Sequence, residues 1–514
     1  MSRFLSPEPI VSLENSFRNP FKNAVATAKT CYSSKGIIKD SDVQEGFEEL
    51  AKSIYSAGHH TTLQHAHFQF TLANVSRQFI WSFLHSHPFY NSEQVSQRYV
   101  AVKPGTYAIP PLEGEALEVY TKTADMQMEA YHQLVEMLSP VVAEHYFKRF
   151  TSRAKYPEKY KRPIKKKAQE ISRYVLPVAT FAYMYHTISG IVLSRYYRLC
   201  QQYDAPLEQK IVIRMMIDEL LKIDPLYKTI LEEPIPLEET PEYEYFINLK
   251  TETQNKKLFI SEFDKSLQGK TSKLIDWKIN NEQVLAQSVR EVLGMTSENL
   301  KDEDAIDLVL NPAKNKLLGE SLNLTTMSKI SRCMFHPNYT FRKKLSHTAD
   351  SQDQRHRMTP ASRPILSAHL MNEPDYITPE LVILDEKSKQ VYQETMDKTW
   401  EAISQLKKTG VSNEYAMYLL PNAVSVRFTE SADLLNLHHK HVMRLCYNAQ
   451  DEIWRASLEE AMQVSEINPQ IGKYLRPPCN QRNWANVKPI CPEGERYCGV
   501  RVWILEPEQY DRII

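Results

Sequence analysis

The sequence predicts a duplicated α+β protein, in which two diverged copies of one domain of mixed helices and strands follow each other along the chain. Two observations support the duplication. The segment EISRYVLP at 170–177 matches EYAMYLLP at 414–421, and RLC occurs at 198–200 and again at 444–446. The mixture of elements follows from the apolar patterning, because several segments have the helical period while HFQFTLANV alternates as a strand does.

Further matches follow the same order in both halves. EQKIVIR at 208–214 can be aligned with AQDEIWR at 449–455, which places Gln209 on Gln450. Near the start of each half, NPFKNAVATAKTCY and NEQVLAQSVREVLG share only the amphipathic pattern of a helix. Several weak matches at similar spacing indicate a tandem duplication, with a period too long and a copy number too low for a solenoid.

The joint between the copies is predicted from composition. EEPIPLEETPEYEYF is rich in proline and glutamate, and KTETQNKK is polar. We therefore predict an N-terminal domain over 1–235, a linker over 236–271 and a C-terminal domain with a cysteine-containing tail over 272–514. The segments predicted to be helical are 41–58, 116–149, 206–224, 379–409 and 449–466. KYPEKYKRPIKKK at 155–167 is predicted to be a basic loop.

Composition and charge narrow the range of partners. Lys+Arg and Asp+Glu both number 63 in 514 residues, so no global field attracts nucleic acid or an anionic membrane. The sequence has no apolar run near the roughly 20 residues that a membrane helix needs, and its N-terminus lacks a signal-peptide core. Seven cysteines, an odd number, favour reduced thiols. We predict a cytoplasmic protein with no membrane or nucleic-acid partner.

Histidines are concentrated in the first half. Two His-x-His pairs, His65/His67 and His85/His87, have a spacing that suits metal ligation, because alternate residues of a strand share a face. A metalloenzyme is therefore one hypothesis. The alternative is a set of hydrogen-bonded histidines in a polar cleft.

Two further clusters suit phosphate. Ser96, Gln97 and Arg98 present a hydroxyl, an amide and a guanidinium together, as a phosphate monoester requires, although a surface turn has the same composition. The segment 355–357, Arg-His-Arg, places two permanent cations around an imidazole and suits dinucleotide phosphates or a flavin. A basic loop that binds RNA is the alternative.

Together these segments resemble the flavin-dependent thymidylate synthase family, in duplicate. In the first half the resemblance covers 58–78, with Gln64 where glutamate is usual, and 86–99, where Ser86 and Pro88 replace two arginines of the family's Arg-His-Arg motif. The first-half residues that fit the family's pattern are Gly58, His59, His87, Ser96, Arg98, Tyr99, Glu170, Arg173, Leu176 and Pro177.

The second half keeps some family motif residues that the first half has replaced, and it has replaced others that the first half keeps. Its Arg355–Arg357 restores the arginines, although this segment can also be aligned with the Ser-x-Arg-Tyr end of the motif. Met417 replaces the arginine at 173, and GESLNLTTMSKISR stands where the glycine-histidine strand start is expected. The second-half residues that fit the family's last motif are Arg444, Ala449, Gln450, Glu452 and Ile453.

The resemblance implies an α+β fold with an antiparallel sheet and helices in each copy. It also implies reductive methylation of dUMP to dTMP, with methylenetetrahydrofolate as carbon donor, reduced FAD as hydride source and NADPH as reductant. Sites in this family form between subunits of a homotetramer, so a tandem chain would form a homodimeric pseudo-tetramer with sites composed from both halves. The alternative is a non-catalytic nucleotide- or RNA-binding protein made of degenerate copies.

The same resemblance implies roles for individual residues. The phosphate of dUMP would be bound by Ser96, Gln97, Arg98 and Arg173. Arg444 would contact the uracil edge, where a cation favours an enolate-like ring, and Ser96 and Arg444 are the predicted catalytic residues. The residues expected to line the flavin are His59, His65, His87, Arg355, His356 and Arg357.

The last residues of the chain hold three of the seven cysteines. Cys479, Cys491 and Cys498 lie within twenty residues of one another, which predicts a structural zinc site with a fourth ligand elsewhere. Their spacing fits no standard zinc finger. Free thiols in a proline-rich tail are the alternative.

Overall fold

Each half of the chain builds one antiparallel sheet of four strands. The structure, a computed structural model, describes residues 3–201, 204–248, 253–512 and 514. The strands of the first half are Ile10–Ser16 (β1), His67–Ser76 (β2), Asn91–Gln94 (β3) and Phe181–Ser189 (β4), in the order β1-β2-β4-β3. The strands of the second half are Ser272–Trp277 (β5), Asn338–Ser346 (β6), Ala361–Ser362 (β7) and Ser425–Asp433 (β8), in the order β5-β6-β8-β7. The identical order confirms the predicted α+β fold and its tandem copies.

Helices surround both sheets. Those before residue 225 are Pro20–Thr30 (α1), Phe47–Ser56 (α2), Arg77–His85 (α3), Gly114–Arg149 (α4), Pro157–Ser172 (α5), Gly190–Arg198 (α6) and Pro206–Ile223 (α7). Two helices in the predicted linker are Pro241–Asn248 (α8) and Thr253–Ser266 (α9), and residues 249–252 of that linker lie outside the described residues. The remaining helices are Asn281–Leu293 (α10), Asp302–Leu310 (α11), His347–Asp353 (α12), Glu380–Ile383 (α13), Glu386–Lys408 (α14), Asn413–Ala416 (α15), Leu434–Arg444 (α16), Asp451–Ile467 (α17), Pro469–Gly472 (α18) and Pro478–Trp484 (α19).

Most of the predicted helices are present. The predictions at 116–149, 206–224 and 449–466 agree with α4, α7 and α17 within two residues at each end. The predicted helix at 41–58 is shorter, and the one at 379–409 is divided into α13 and α14. Within the part of the chain that the structure describes, none of these helices combines the length and apolarity needed to cross a membrane.

The basic segment at 155–167 is a helix, so the predicted loop was wrong. It lies almost entirely within α5, which begins at Pro157. A proline at the first helical position costs no hydrogen bond, because that N–H has no partner within a helix. Ile164 and Ala168 of this helix are buried, whereas Lys161 and Lys165 are exposed. The lysines therefore form the solvent face of an amphipathic helix.

A repeated contact sets the correspondence between the copies. Ser76 and Ser346 cap the helices that follow β2 and β6, and each hydroxyl also donates to a glutamate, Glu208 or Glu452, at 2.6 Å. Glu208 therefore corresponds to Glu452. The predicted alignment of Gln209 with Gln450 was shifted by three residues, because the letters that matched do not occupy these capping positions.

The two halves meet along an approximate two-fold axis between Pro177 and Pro421, which form an antiparallel bridge. The amide of Val178 donates to the carbonyl of Leu420 at 2.8 Å, and the amide of Asn422 donates to that of Leu176 at 2.8 Å. In a second symmetric pair of hydrogen bonds, the amide of Ala179 donates to the carbonyl of Tyr418 and the amide of Ala423 donates to that of Tyr174. The long helices α4 and α14 pack against each other beside this bridge, and a hydrophobic core runs through both halves.

Candidate functional site

A cavity of about 650 Å³ lies between the two halves. Its lining is strongly cationic: among the described residues around it there are seven arginines and one glutamate. The polar side chains around the cavity include Arg77, Ser96, Gln97, Arg98 and Arg173 from the first half, and Arg355, His356, Arg357, Asn422, Asn436, His439, Arg444, Glu493 and Arg496 from the second. The cavity therefore suits an anionic ligand, and neither half forms it alone.

Arg98 is held at the cavity wall by both halves. Its guanidinium pairs with the buried carboxylate of Glu170 and donates from Nη2 to the carbonyl of Asn448 at 2.7 Å. Burial opposes the charge of Arg98, but Glu170 raises the pKa of this arginine overall. Burial also opposes the charge of Glu170, but Arg98 and Lys167 hold its pKa well below the usual range. Both groups are therefore charged, and Arg98 is fixed in position before any ligand arrives.

Arg173 is a buried cation with unused hydrogen-bonding capacity. It begins a short 3-10 turn after α5, and its Nε donates to the carbonyl of Glu170 at 3.2 Å. Its Nη2 has no hydrogen-bond partner among the described residues, and burial lowers its pKa. Nearby, Nε2 of Gln97 and Nε of Arg77 are also without partners there, and burial lowers the pKa of Arg77 to about 9. Buried donors of this kind are normally satisfied, so their grouping at one cavity indicates a ligand with acceptor oxygens.

Arg444 ends α16 and reaches into the cavity from the second half. Its Nε donates to Nε2 of His356 at 2.8 Å, and its Nη2 donates to the carbonyl of Gln352 at 2.7 Å. Burial lowers the pKa of Arg444 to about 10, and burial together with Arg444 lowers the pKa of His356 far below its ordinary value. His356 is therefore neutral, and since its Nε2 accepts a hydrogen bond, its proton lies on Nδ1.

The arginines on either side of His356 contact the first half. Arg355 pairs with Glu93 at 2.9 Å, and Arg357 donates to the carbonyl of Pro88 at 3.1 Å. Counted from the capping residues Ser76 and Ser346, the segment 355–357 occupies the place of 85–87 in the first copy. The Arg-His-Arg segment therefore corresponds to the histidine segment of the first half, not to the Ser-x-Arg-Tyr segment.

Three of the predicted flavin-lining histidines lie outside this cavity. His59 and His65 are exposed. His87 packs against Tyr196, its Nδ1 accepts from the amide of Phe89 at 2.9 Å, and burial lowers its pKa to about 4. Of the six predicted residues, only Arg355, His356 and Arg357 are brought together here.

The zinc site predicted in the tail stays a prediction. Cys479, Cys491 and Cys498 line one small cavity with Cys446, but among the described residues no group of three or more His, Cys, Asp or Glu side chains is placed to hold a metal ion. Among the described residues, neither His65/His67 nor His85/His87 belongs to such a metal-binding group. Burial raises the pKa of Cys479 to about 12 and that of Cys446 to about 11, so these thiols are protonated and pack as small apolar groups.

The symmetry-related position is filled with apolar side chains. Where the cavity has Ser351 and Arg173, the other copy places Trp81 and Met417, both buried. Asn422 and Asn436 similarly correspond to Val178 and Val192. The indole Nε1 of Trp81 donates to the Asp350 carboxylate at 2.8 Å, and Arg363 pairs with the same carboxylate at 2.9 Å. The two related positions have therefore become chemically different.

A fully buried ionic cluster lies behind the Arg-His-Arg segment. Lys343 contacts Asp353 at 2.6 Å and Glu460 at 2.9 Å, and Lys440 contacts Asp353 at 2.9 Å. Glu430 contacts both lysines. Burial opposes the charge of Lys343, but the three carboxylates raise its pKa well above the usual range. Because Asp353 ends α12, this cluster fixes the helix from which residues 355–357 continue.

Sequence reasoning missed several lining residues. Arg77 lies in a segment that resembles the family, but its position just after a capping serine gave no sign of exposure to a cavity. Asn436 and His439 lie on α16, about two turns and a little over one turn before Arg444, which is a signal that helical spacing could have provided. Glu493 and Arg496 lie in the tail, where the sequence indicated a site only through its cysteines.

Comparison with known proteins supports the duplication. A family model described as thymidylate synthase complementing protein matches residues 12–226 and again 273–470. A flavin-dependent thymidylate synthase of Clostridium tetani is 26% identical over 213 residues, 40% of this chain and 80% of that protein. The enzyme of the same name from Pyrococcus furiosus is 31% identical over 173 residues, 31% of this chain and 69% of that protein.

One further relative and one solved structure are also similar to the chain. The flavin-dependent thymidylate synthase of Sulfurisphaera tokodaii is 27% identical over 150 residues, which is 28% of this chain and 56% of that protein. Among solved structures, a UMP/dUMP methylase from Streptomyces cacaoi bound with 5-Br dUMP is 18% identical, with a TM-score of 0.31. It covers 43% of this chain and 94% of that one.

Proposed function

Because the chain belongs to the thymidylate synthase complementing protein family, we propose that it is a flavin-dependent thymidylate synthase. The reaction is the reductive methylation of dUMP to dTMP, with methylenetetrahydrofolate as carbon donor and NADPH as reductant of the flavin. Membership of the family confirms the prediction of an enzyme of the thymidylate synthase type. The observation that carries the specific activity is the group of arginines from both halves around one cavity, where buried donors of the first half have no partner among the described residues.

The residues present fit FAD. A dinucleotide carries two linked phosphates, and the cavity offers more arginines than one nucleotide phosphate needs. Arg355 and Arg357, together with His356, are the residues we assign to it. When bound, reduced FAD supplies the hydride for the reaction. The protein's own contribution is to bind, orient and polarise.

The dUMP phosphate is assigned to the other side of the cavity. Ser96 supplies a hydroxyl, Gln97 an amide and Arg98 a guanidinium already fixed by Glu170, while Arg173 brings the unpartnered Nη2. Charge-assisted hydrogen bonds from a fixed arginine are stronger than neutral ones. The fixed geometry also reduces the ordering cost of binding.

Arg444 is assigned to the uracil edge. A guanidinium beside a carbonyl oxygen of the ring stabilises the negative charge that develops there when the ring is activated. His356 orients this guanidinium by accepting from Nε. Because His356 is neutral, it adds no second charge to compete for the same oxygen.

We propose one working site per chain, composed from both halves. The symmetry-related position holds Trp81 and Met417 where the cavity has Ser351 and Arg173, and its Arg363 is already paired with Asp350, so it is poorly suited to bind an anion. Two chains together would restore the four copies of the family's tetramer, which supports a homodimer, and we place this homodimer in the cytoplasm. Light scattering of the purified protein tests the dimer.

The visible absorbance spectrum tests the function. The protein is purified, mixed with FAD and desalted, and dUMP is then added. A retained flavin band that shifts with dUMP is the expected result, because both ligands share one cavity. A colourless protein that still binds dUMP would instead favour a non-catalytic nucleotide-binding protein.

A further inference from the structure

The C-terminal segment beyond the family match forms part of the cavity wall. The family model ends its match at residue 470, whereas Glu493 and Arg496 line the site. Arg482 ties the segment to the rest of the second half by donating to the carbonyl of Gly319 at 3.1 Å, and it braces the segment itself by donating to the carbonyl of Pro489 at 2.8 Å. The wall that it provides is therefore held in a defined position.

A second cavity of about 400 Å³ adjoins the first. The two share Arg98, Arg444 and Glu493 among their lining residues, so a molecule in one can reach a molecule in the other. The second cavity has a different character, because its other walls include apolar side chains. These are Leu317, Leu318, Val442, Pro478 and Pro492.

Glu493 gives this second cavity a specific polar group. It is part-buried, and its carboxylate contacts Arg496 at 3.2 Å, but that arginine is 72% exposed. An exposed pair of this kind contributes little and is readily exchanged for another partner. The carboxylate can therefore accept hydrogen bonds from a ligand that enters the cavity.

We propose that Glu493 binds the pterin ring of the carbon donor, which rests on the function proposed above. A pterin is flat and partly apolar, and one edge carries an amide N–H beside an exocyclic amino group. A carboxylate accepts from both at once, in the paired geometry that it also forms with a guanidinium. The apolar walls enclose the ring faces, as is usual for small-ligand sites. The carbon donor then lies next to Arg444 and the nucleotide.

The test compares Glu493→Gln with Glu495→Gln in the full-length protein. Glu495 lies two residues away, is exposed and lines neither cavity, so it is a matched control. Tetrahydrofolate and dUMP affinities are measured by calorimetry, and retained flavin by absorbance. Glu493→Gln is expected to weaken tetrahydrofolate binding about tenfold or more, with dUMP affinity and flavin content within about twofold of wild type.

The kinetic counterpart is a raised KM for methylenetetrahydrofolate with an unchanged KM for dUMP. Equal tetrahydrofolate affinity in wild type and Glu493→Gln overturns the proposal and leaves the proposed function intact. Equal weakening by Glu495→Gln also overturns it, because a general loss of surface charge would then explain the effect. A wild-type protein that binds neither flavin nor dUMP overturns the proposed function itself.

Discussion

Replacing Arg173 by methionine is expected to separate ligand binding from folding. Methionine is the residue that the second copy carries at the corresponding position, where Met417 is completely buried, so the fold accommodates this side chain. Arg173 leaves Nη2 without a partner among the described residues. One charge-assisted hydrogen bond to the dUMP phosphate is worth about 1.5–3 kcal/mol. Its loss corresponds to roughly 10- to 150-fold weaker binding.

Stability should respond differently from binding. Burial lowers the pKa of Arg173, which means that the folded protein without ligand bears a cost for this charge. Methionine removes the cost, so the thermal midpoint of unfolding is expected to stay equal or rise. Calorimetric titration with dUMP and a melting curve measure the two effects on the same sample.

The control is Arg162→Met on the exposed face of α5, which removes a positive charge from the helix that precedes Arg173 but not from the cavity. It should leave dUMP affinity within about twofold of wild type. A folded Arg173→Met protein with unchanged dUMP affinity would refute the reasoning. A comparable loss in Arg162→Met would show that long-range charge, rather than a contact, determines binding.

Three further outcomes are expected. Lys343→Met should lower the free energy of unfolding, measured in urea, by about 3–5 kcal/mol, because it leaves buried carboxylates uncompensated. Lys344→Met, which removes a partly exposed pair, should lower it by at most about 1 kcal/mol. Equal losses would contradict the stabilising role of the ionic cluster. Burial raises the pKa of Glu414 to about 7, so this acid takes up a proton on folding. The free energy of unfolding therefore falls as pH rises from about 4.5 to 7. Glu414→Gln should therefore melt like wild type at pH 5 and be more stable at pH 8, by at most about 3 kcal/mol; a gain that does not depend on pH would refute this. Calorimetry should give one dUMP per chain, because Trp81 and its neighbours fill the related position, and two per chain would show that this position opens.

The sequence predicted the main cationic groups of the cavity through short motifs. Ser96 to Arg98 and residues 355–357 follow from their local chemistry, Arg173 and Arg444 follow from the resemblance to the family, and all of them lie around one cavity. Each motif carries its chemistry within a few residues, which is why a single sequence reveals it. The way in which the motifs meet depends on the bridge between Pro177 and Pro421, which no local pattern reports.

Other residues could not be placed from their patterns. His59 was assigned by the resemblance and His65 also belongs to a pair with metal-ligand spacing, but both are exposed, because neither a motif nor a spacing specifies what packs against a side chain. Glu493 enters the cavity only because the tail folds back over α16. The basic segment at 155–167 is helical because Ile164 and Ala168 are buried at helical spacing, and the many lysines around them obscure that pattern in the sequence.

The bridge at the two-fold axis has a consequence for how the copies could diverge. Its four hydrogen bonds join main-chain amides and carbonyls only. Such bonds are indifferent to the side chains that the residues carry, so the docking of the halves tolerates substitution on either side of the axis. One copy could exchange arginine for methionine, and the other could fill its cleft with tryptophan, without loosening the joint. The backbones of the two copies have therefore stayed symmetric while their side chains have diverged. The fused domains could in this way take on different roles within one chain.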